Sequence, residues 1–155
     1  MITLILLNFI ASLTMLGVIL VTQIVSYPMF LNVSKQGFTL FHSNYVKRIS
    51  SIVMPVMTIE LILSVILFFT LEGILSQISL ITLLLIFIST AVIQVPIHEK
   101  LKFKYDEYLT RKLIRTNWIR TSLWSIKSLI SYNIIVKELL WTLLYWVPQE
   151  ELVLA

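Results

Sequence analysis

The chain has 155 residues, 58% of them hydrophobic and 13% charged, with a formal net charge of +4 and a mean hydropathy of +0.93. Soluble domains carry about 25% charged residues, so an ordinary water-soluble globule is excluded. The lack of cysteine excludes disulfide scaffolds, thiol catalysis, thiolate metal sites and S-acylation.

Four membrane spans are expected, since crossing about 30 Å of hydrocarbon takes about 20 apolar residues. The first covers about residues 2–26 and holds no charge. It has no basic leader and its apolar run is long, so it is expected to be a span rather than a cleaved signal. The second covers about 49–70, interrupted by Pro55 and Glu60, and the third covers 74–95. The short Leu71-Glu72-Gly73 link joins them as a hairpin. The fourth is expected at about 117–138 despite Arg120 and Lys127, with Lys137 and Glu138 at its far interface. The tail, 139–155, carries Trp141, Tyr145 and Trp146 as an aromatic anchor. The expected fold class is all-α. It is an integral-membrane antiparallel four-helix bundle, a single domain over 1–155 with helical cytoplasmic extensions and no internal repeat.

Basic residues give the orientation. Lys35, Lys47 and Arg48 lie between the first two spans, and Lys100, Lys102, Lys104, Arg111, Lys112 and Arg115 between the last two. These are nine of the twelve Lys and Arg residues. The positive-inside rule then places loops 27–48 and 96–116 in the cytoplasm and both termini outside. The expected location is a cell membrane, a bacterial inner membrane, with the lipid bilayer as the first partner. Nucleic acid is not an expected partner, because no folded domain presents a basic, aromatic-interleaved surface. Both loops carry helical periodicity: Phe38, Phe41, Tyr45 and Ile49 in one, and Leu101, Tyr105, Tyr108, Leu109 and Leu113 in the other. Lys102 with Asp106 and Glu107 with Arg111 are i,i+4 pairs.

Polar side chains within spans are costly and ordinarily face a bundle interior or a wet cavity. Here they form stripes: Gln23 and Tyr27; His42, Tyr45, Glu60 and Ser64; Thr90, Gln94 and His98; Asn117, Arg120, Trp124, Lys127 and Ser131. At 1.5 Å per residue, Glu60 lies roughly 16 Å beyond Ile49 and Lys127 roughly 15 Å beyond Asn117. Equal depth predicts a Glu60–Lys127 polar pair, at the floor of a pocket open to the cytoplasm. The plainer alternative is helix–helix hydrogen bonding without chemistry. His42 and His98 are the metal-ligand candidates, but no Glu-x-x-His or H-E-x-x-H motif accompanies them. No cofactor is expected, and haem or a non-haem metal stays open. No nucleophile elbow or phosphate loop occurs. What the residues allow is acid–base and cation-assisted chemistry.

Tyr27-Pro28 after the first span, Pro96-x-His98-x-x-Leu101 after the third and Asn117-x-x-Arg120 opening the fourth carry a resemblance. The chain resembles the DUF1772, or anthrone oxygenase-like, family of small four-helix membrane proteins over about residues 10–135. His98 stands where that family more often has Asn. The resemblance implies the four-span fold and, from some fungal relatives, oxygenation of polycyclic anthrones.

The expected function is that of a membrane-embedded, oxygenase-like enzyme on a lipophilic or aromatic small molecule. His98 is the expected base, and Asn117 and Arg120 would stabilise an enolate or phenolate. Gln23, Tyr27, Tyr45, Gln94 and Trp124 would line the substrate. Whether the chain is an enzyme stays open at this point. A proton, ion or small-molecule transporter and a non-catalytic assembly subunit are the alternatives, and a homo-oligomer is compatible with each.

Overall fold

The computed structural model describes residues 1–146, with side chains described as far as Thr142. The expected anchor residues Tyr145 and Trp146 therefore have side chains outside the described residues, as does the rest of the tail from residue 147. The described residues are helical, with no strand among them.

Helix α1 (Ile2–Val21) runs into a π-helical turn (Thr22–Ser26), a short α2 (Tyr27–Met29) and a 3-10 turn (Phe30–Asn32). Helix α3 (Phe38–Thr70) starts well before the expected span, as the spacing of Phe38, Phe41, Tyr45 and Ile49 requires. It stops at Leu71, whose backbone is extended, and Gly73 turns the chain at φ 138°. That left-handed conformation is strained for any residue with a Cβ. Helix α4 (Ile74–Ser89) passes into a second π-helical turn (Thr90–Gln94) and α5 (Val95–Leu101). Helix α6 (Glu107–Trp146) is 40 residues long, roughly 60 Å at 1.5 Å per residue.

Three helical stretches are long and apolar enough to cross a membrane: Ile2–Asn32, Phe38–Thr70 and Ile74–Leu101. Their outward faces are aliphatic, with Leu6, Ile10, Ile59, Ile62, Ile81, Leu84 and Ile88 all exposed. The expected fourth span lies inside α6, which has the length but carries Arg120, Lys127, Lys137 and Glu138. Helices α1 and α4 each contact both α3 and α6, closing a ring of four.

The stripe expected to run unbroken from Leu101 to Leu113 is interrupted. The chain leaves helix at Lys102, and Asp106 restarts it by accepting a hydrogen bond from the Leu109 amide through Oδ1 at 2.9 Å. A capping carboxylate satisfies amides that a helix start leaves open, and here it overrides the periodicity. Lys102 consequently pairs with Glu99 at 2.5 Å rather than with Asp106. The Glu107–Arg111 pair forms as expected, at 2.8 Å.

Inside the ring, apolar and polar layers alternate. At one end Ile5, Leu67, Ile134 and Ile135 form a cluster. Next comes a fully buried ionic layer, where Lys127 Nζ lies 3.4 Å from Glu60 Oε1. The Ser12 hydroxyl donates to that oxygen at 2.6 Å, and Lys127 donates to Asn8 Oδ1 at 3.2 Å and to Ser131 Oγ at 3.3 Å. Asn8 Nδ2 donates in turn to Ser64 Oγ at 2.9 Å. Beyond it Met15, Ile19, Met57, Leu83, Ile86 and Trp124 form a second apolar layer. Then comes a level of buried polar side chains, Gln23, Gln94, Asn117 and Arg120. Tyr27, Phe30, Phe38, Ile97, Leu101 and Leu113 close that end.

The ionic layer generates a stability prediction. Lys127→Met strands a buried carboxylate and should cost about 3 kcal/mol or more. The Glu60→Met/Lys127→Met double variant should recover most of that loss. The unfolding midpoint in detergent reads both, and wild-type stability in Lys127→Met would contradict the assignment.

Candidate functional site

Spans one and three end alike. Each passes through a five-residue π-helical turn that begins with Thr, and each turn is followed by an X-Pro step: Thr22 to Pro28 and Thr90 to Pro96. Proline has no N–H for the carbonyl four residues back, and π turns of this kind recur at functional sites. The paired turns bring Gln23, Tyr27, Gln94 and His98 to one level of the interior, opposite Asn117 and Arg120 of α6.

A cavity of about 480 Å³ lies against this level. Met15, Ile19, Met57 and Phe87 are among its apolar walls, and Tyr27, Tyr45, Gln94, His98 and Arg120 supply its polar end. On one side its lining includes Met54 of α3 and Ala91 and Val95 of the facing segment, all three exposed on the outer surface. Glu99 and Lys102 form a charged rim.

The sequence expectation put Glu60 and Lys127 at the floor of this pocket. They are paired, but they do not line it. One helical turn nearer the cavity on each helix stands a large apolar residue: Met15 above Ser12, Met57 before Glu60 and Trp124 before Lys127. These side chains form the floor layer and separate the ionic layer from the cavity. Trp124, expected against substrate, is fully buried in that layer and its indole N–H has no partner. Gln23 and Asn117 also stand behind the lining rather than in it.

Their placement gives them a different task. The Ile114 carbonyl can only accept, so the Gln23 amide turns its Nε2 to it, at 3.2 Å. That leaves Gln23 Oε1 to accept from Asn117 Nδ2, at 2.9 Å. Asn117 Oδ1 is then left to accept from Arg120 Nη1, at 3.3 Å. Every amide orientation is forced by the one before it, and the series fixes the guanidinium. Arg120 is buried, lies beside the Tyr27 phenol and has no partner on its Nε.

A second series crosses the cavity's polar end. The Tyr27 hydroxyl and His98 Nε2 are hydrogen-bonded at 2.9 Å, and His98 Nδ1 and His42 Nε2 at 2.9 Å. Both ring nitrogens of His98 are thus engaged. With the Tyr27 hydroxyl donating, His98 accepts at Nε2 and donates from Nδ1 to His42; with His42 donating, both bonds run the other way. His42 lies fully buried, stacked on Phe38 with ring centroids 5.5 Å apart, and its Nδ1 has no partner. Among the described residues no three His, Cys, Asp or Glu side chains gather as a metal-holding group. The metal candidates His42 and His98 bond each other instead. Sequence reasoning missed the His42–Tyr27 connection. The signal was available in the shared level of both histidines at the ends of their helices.

Gln23→Leu should leave the buried Asn117 amide N–H without its partner, costing about 1–3 kcal/mol. Thermal unfolding in detergent reads this, and an unchanged midpoint would contradict the series. Comparison of the chain with family models, with curated proteins and with solved structures finds no match.

Proposed function

We propose that the chain is a multi-pass membrane protein that binds a lipophilic, ring-containing small molecule in this cavity and performs acid–base chemistry on it. The observation that carries the reading is the polarised cavity, apolar on its floor and side walls and equipped at one end with a phenol, an imidazole and a guanidinium. Within this reading the four helices form an antiparallel bundle crossing the bilayer four times, with α6 supplying the fourth span. Its support is the layer order: residue numbers fall from Tyr27 through Ile19 to Ile5 in the first helix, rise from Phe38 through Met57 to Leu67 in α3, and rise from Leu113 through Trp124 to Ile134 in α6. A charge-bearing fourth span is tolerable because Lys127 and Arg120 are both buried among partners. The polar end and both basic loops face the cytoplasm of a bacterial inner membrane, with the termini outside. Substrate enters from that leaflet past Met54, Ala91 and Val95, which are exposed where the bundle meets lipid.

In the reaction, the substrate proton passes to the Tyr27 oxygen as the Tyr27 proton moves to His98 Nε2 and the His98 Nδ1 proton to His42. His98 is therefore a base that acts through Tyr27, since neither of its ring nitrogens is free. Arg120 stabilises the enolate or phenolate left behind, and Asn117 positions Arg120 rather than meeting the anion itself. For a ring CH₂ beside a carbonyl system, the resulting carbanion takes up dioxygen to a peroxide anion, which recovers the proton from the series through Tyr27 to give a hydroperoxide. Loss of water then gives the ketone, which is the oxygenase chemistry implied by resemblance to the anthrone oxygenase-like family. Transport finds less support, because the midplane ion pair is walled off from the cavity.

Two experiments test this. Oxidation of anthrone to anthraquinone by wild-type proteoliposomes should exceed autoxidation, and His98→Ala and Arg120→Ala should each abolish the excess while the protein still folds. Turnover at the wild-type rate in either variant would remove the scheme. The cysteine-free chain also allows direct mapping of sidedness. Single cysteines at Ser34 and Lys104 should be labelled from the cytoplasm and one at Glu72 from outside. Labelling of all three from one side would contradict the topology.

A further inference from the structure

Apart from the cavity, a groove of about 290 Å³ runs between α6 and the segment that ends the third span. Two facing stripes build it. Val92, Pro96 and Lys100 recur every four residues on one wall, and Leu109, Lys112 and Thr116 stand at i, i+3 and i+7 on the other. The π turn over Thr90–Gln94 serves both features, placing Gln94 in the lining of the cavity and Val92 and Ile93 in that of the groove. Thr116 brings the groove no free hydrogen, because its hydroxyl donates to the Lys112 carbonyl at 2.8 Å and accepts from Gln94 Nε2 at 3.3 Å. The polarity of the groove is therefore that of two ammonium groups.

Those two charges stand unanswered. Lys100 and Lys112 are exposed, and among the described residues neither has an ion-pair partner. The nearby acids are engaged elsewhere: Glu99 holds Lys102, Glu107 holds Arg111, and Asp106 caps α6 through the Leu109 amide. No acidic residue lines the groove among the described residues. Charge and hydropathy are also ordered along it. Lys100 lies eight residues beyond Val92, roughly 12 Å at 1.5 Å per residue, and Val92 is 68% exposed. In the topology proposed above, the lysine end meets the cytoplasmic headgroups and the Val92 end reaches into the leaflet. Trp118, exposed on α6 just past Thr116, is of a type enriched at that boundary.

We propose that this groove binds an anionic phospholipid of the cytoplasmic leaflet, its headgroup paired with Lys100 and Lys112 and an acyl chain lying along Val92, Ile93 and Pro96. A free anion would answer the two lysines and leave the apolar wall bare. A zwitterionic lipid covers the wall but carries its own cation against its phosphate. An anionic lipid does both, and basic clefts between spanning helices on the cytoplasmic side take such headgroups. The inference rests on the bilayer placement given above, not on the chemistry assigned to the cavity.

The test titrates the protein in an uncharged detergent with dioleoylphosphatidylglycerol or dioleoylphosphatidylcholine and counts bound lipid by native mass spectrometry. Phosphatidylglycerol should bind in preference to phosphatidylcholine. Lys100→Gln and Lys112→Gln should each weaken that binding about 5-fold, and the double variant about 30-fold, from what a lysine contributes beside anionic lipid. Lys35→Gln/Lys47→Gln removes the same charge from the other basic loop and should keep the wild-type affinity. All four lysines are exposed, so each variant should unfold at the wild-type midpoint. Equal binding of the two lipids would overturn the inference. So would an equal loss in both double variants, which would reduce the preference to net charge. Displacement of the lipid by an equal concentration of glycerol phosphate would also overturn it, since the apolar wall would then contribute nothing. Each of these failures leaves the topology to be judged by the cysteine labelling.

Discussion

A lysine ammonium buried at the middle of an apolar helical ring has to find oxygen atoms there or leave, and the arrangement of this protein follows from its finding them. Glu60, Asn8, Ser12 and Ser131 surround Lys127 from three helices. Each of these helices is thereby held at one height and one rotation relative to the others. Counting by helical turns from that level places Met15, Met57 and Trp124 together, and the next turns place Ile19, Val53 and Arg120 together. The cavity therefore sits where it does because the ionic layer pins α1, α3 and α6 in register. Its floor is apolar because Met15 and Met57, one turn on in α1 and α3, line it and Trp124 of α6 packs behind them.

The two polar levels obey different rules. In the ionic layer the charges answer each other, and only Glu60 Oε2 among its atoms is left without a partner. At the cavity level the groups are ordered but incomplete. A backbone carbonyl dictates Gln23, which dictates Asn117, which dictates Arg120. Thr116 dictates Gln94, whose Oε1 is left buried without a partner.

Much of this was legible in the sequence. Apolar run lengths gave three of the helices, and the matching depths of Glu60 and Lys127 gave their pairing, because helical rise is constant. The spacing of Phe38, Phe41, Tyr45 and Ile49 gave the early start of α3. Three features were not legible, for physical reasons. A π turn inserts a residue without an apolar signature, so the level shared by Gln23, Tyr27, Gln94 and His98 could be guessed but not their facing. Asp106 ended a periodic stripe because capping is a local hydrogen bond that periodicity does not register. A lining role for Trp124 and Gln23 was inferred from residue type and face alone, whereas burial depth behind the lining is decided by neighbours on other helices.

The most direct measurement of the central claim is solid-state NMR of the isotope-labelled protein in phospholipid bilayers, reading the surroundings of the Lys127 ammonium nitrogen. A dipolar contact between Lys127 Nζ and the Glu60 carboxyl carbon is expected, with none to lipid phosphorus. A contact to lipid phosphorus and none to Glu60 would mean that the lysine reaches the headgroups, and an organisation built on its burial would be wrong.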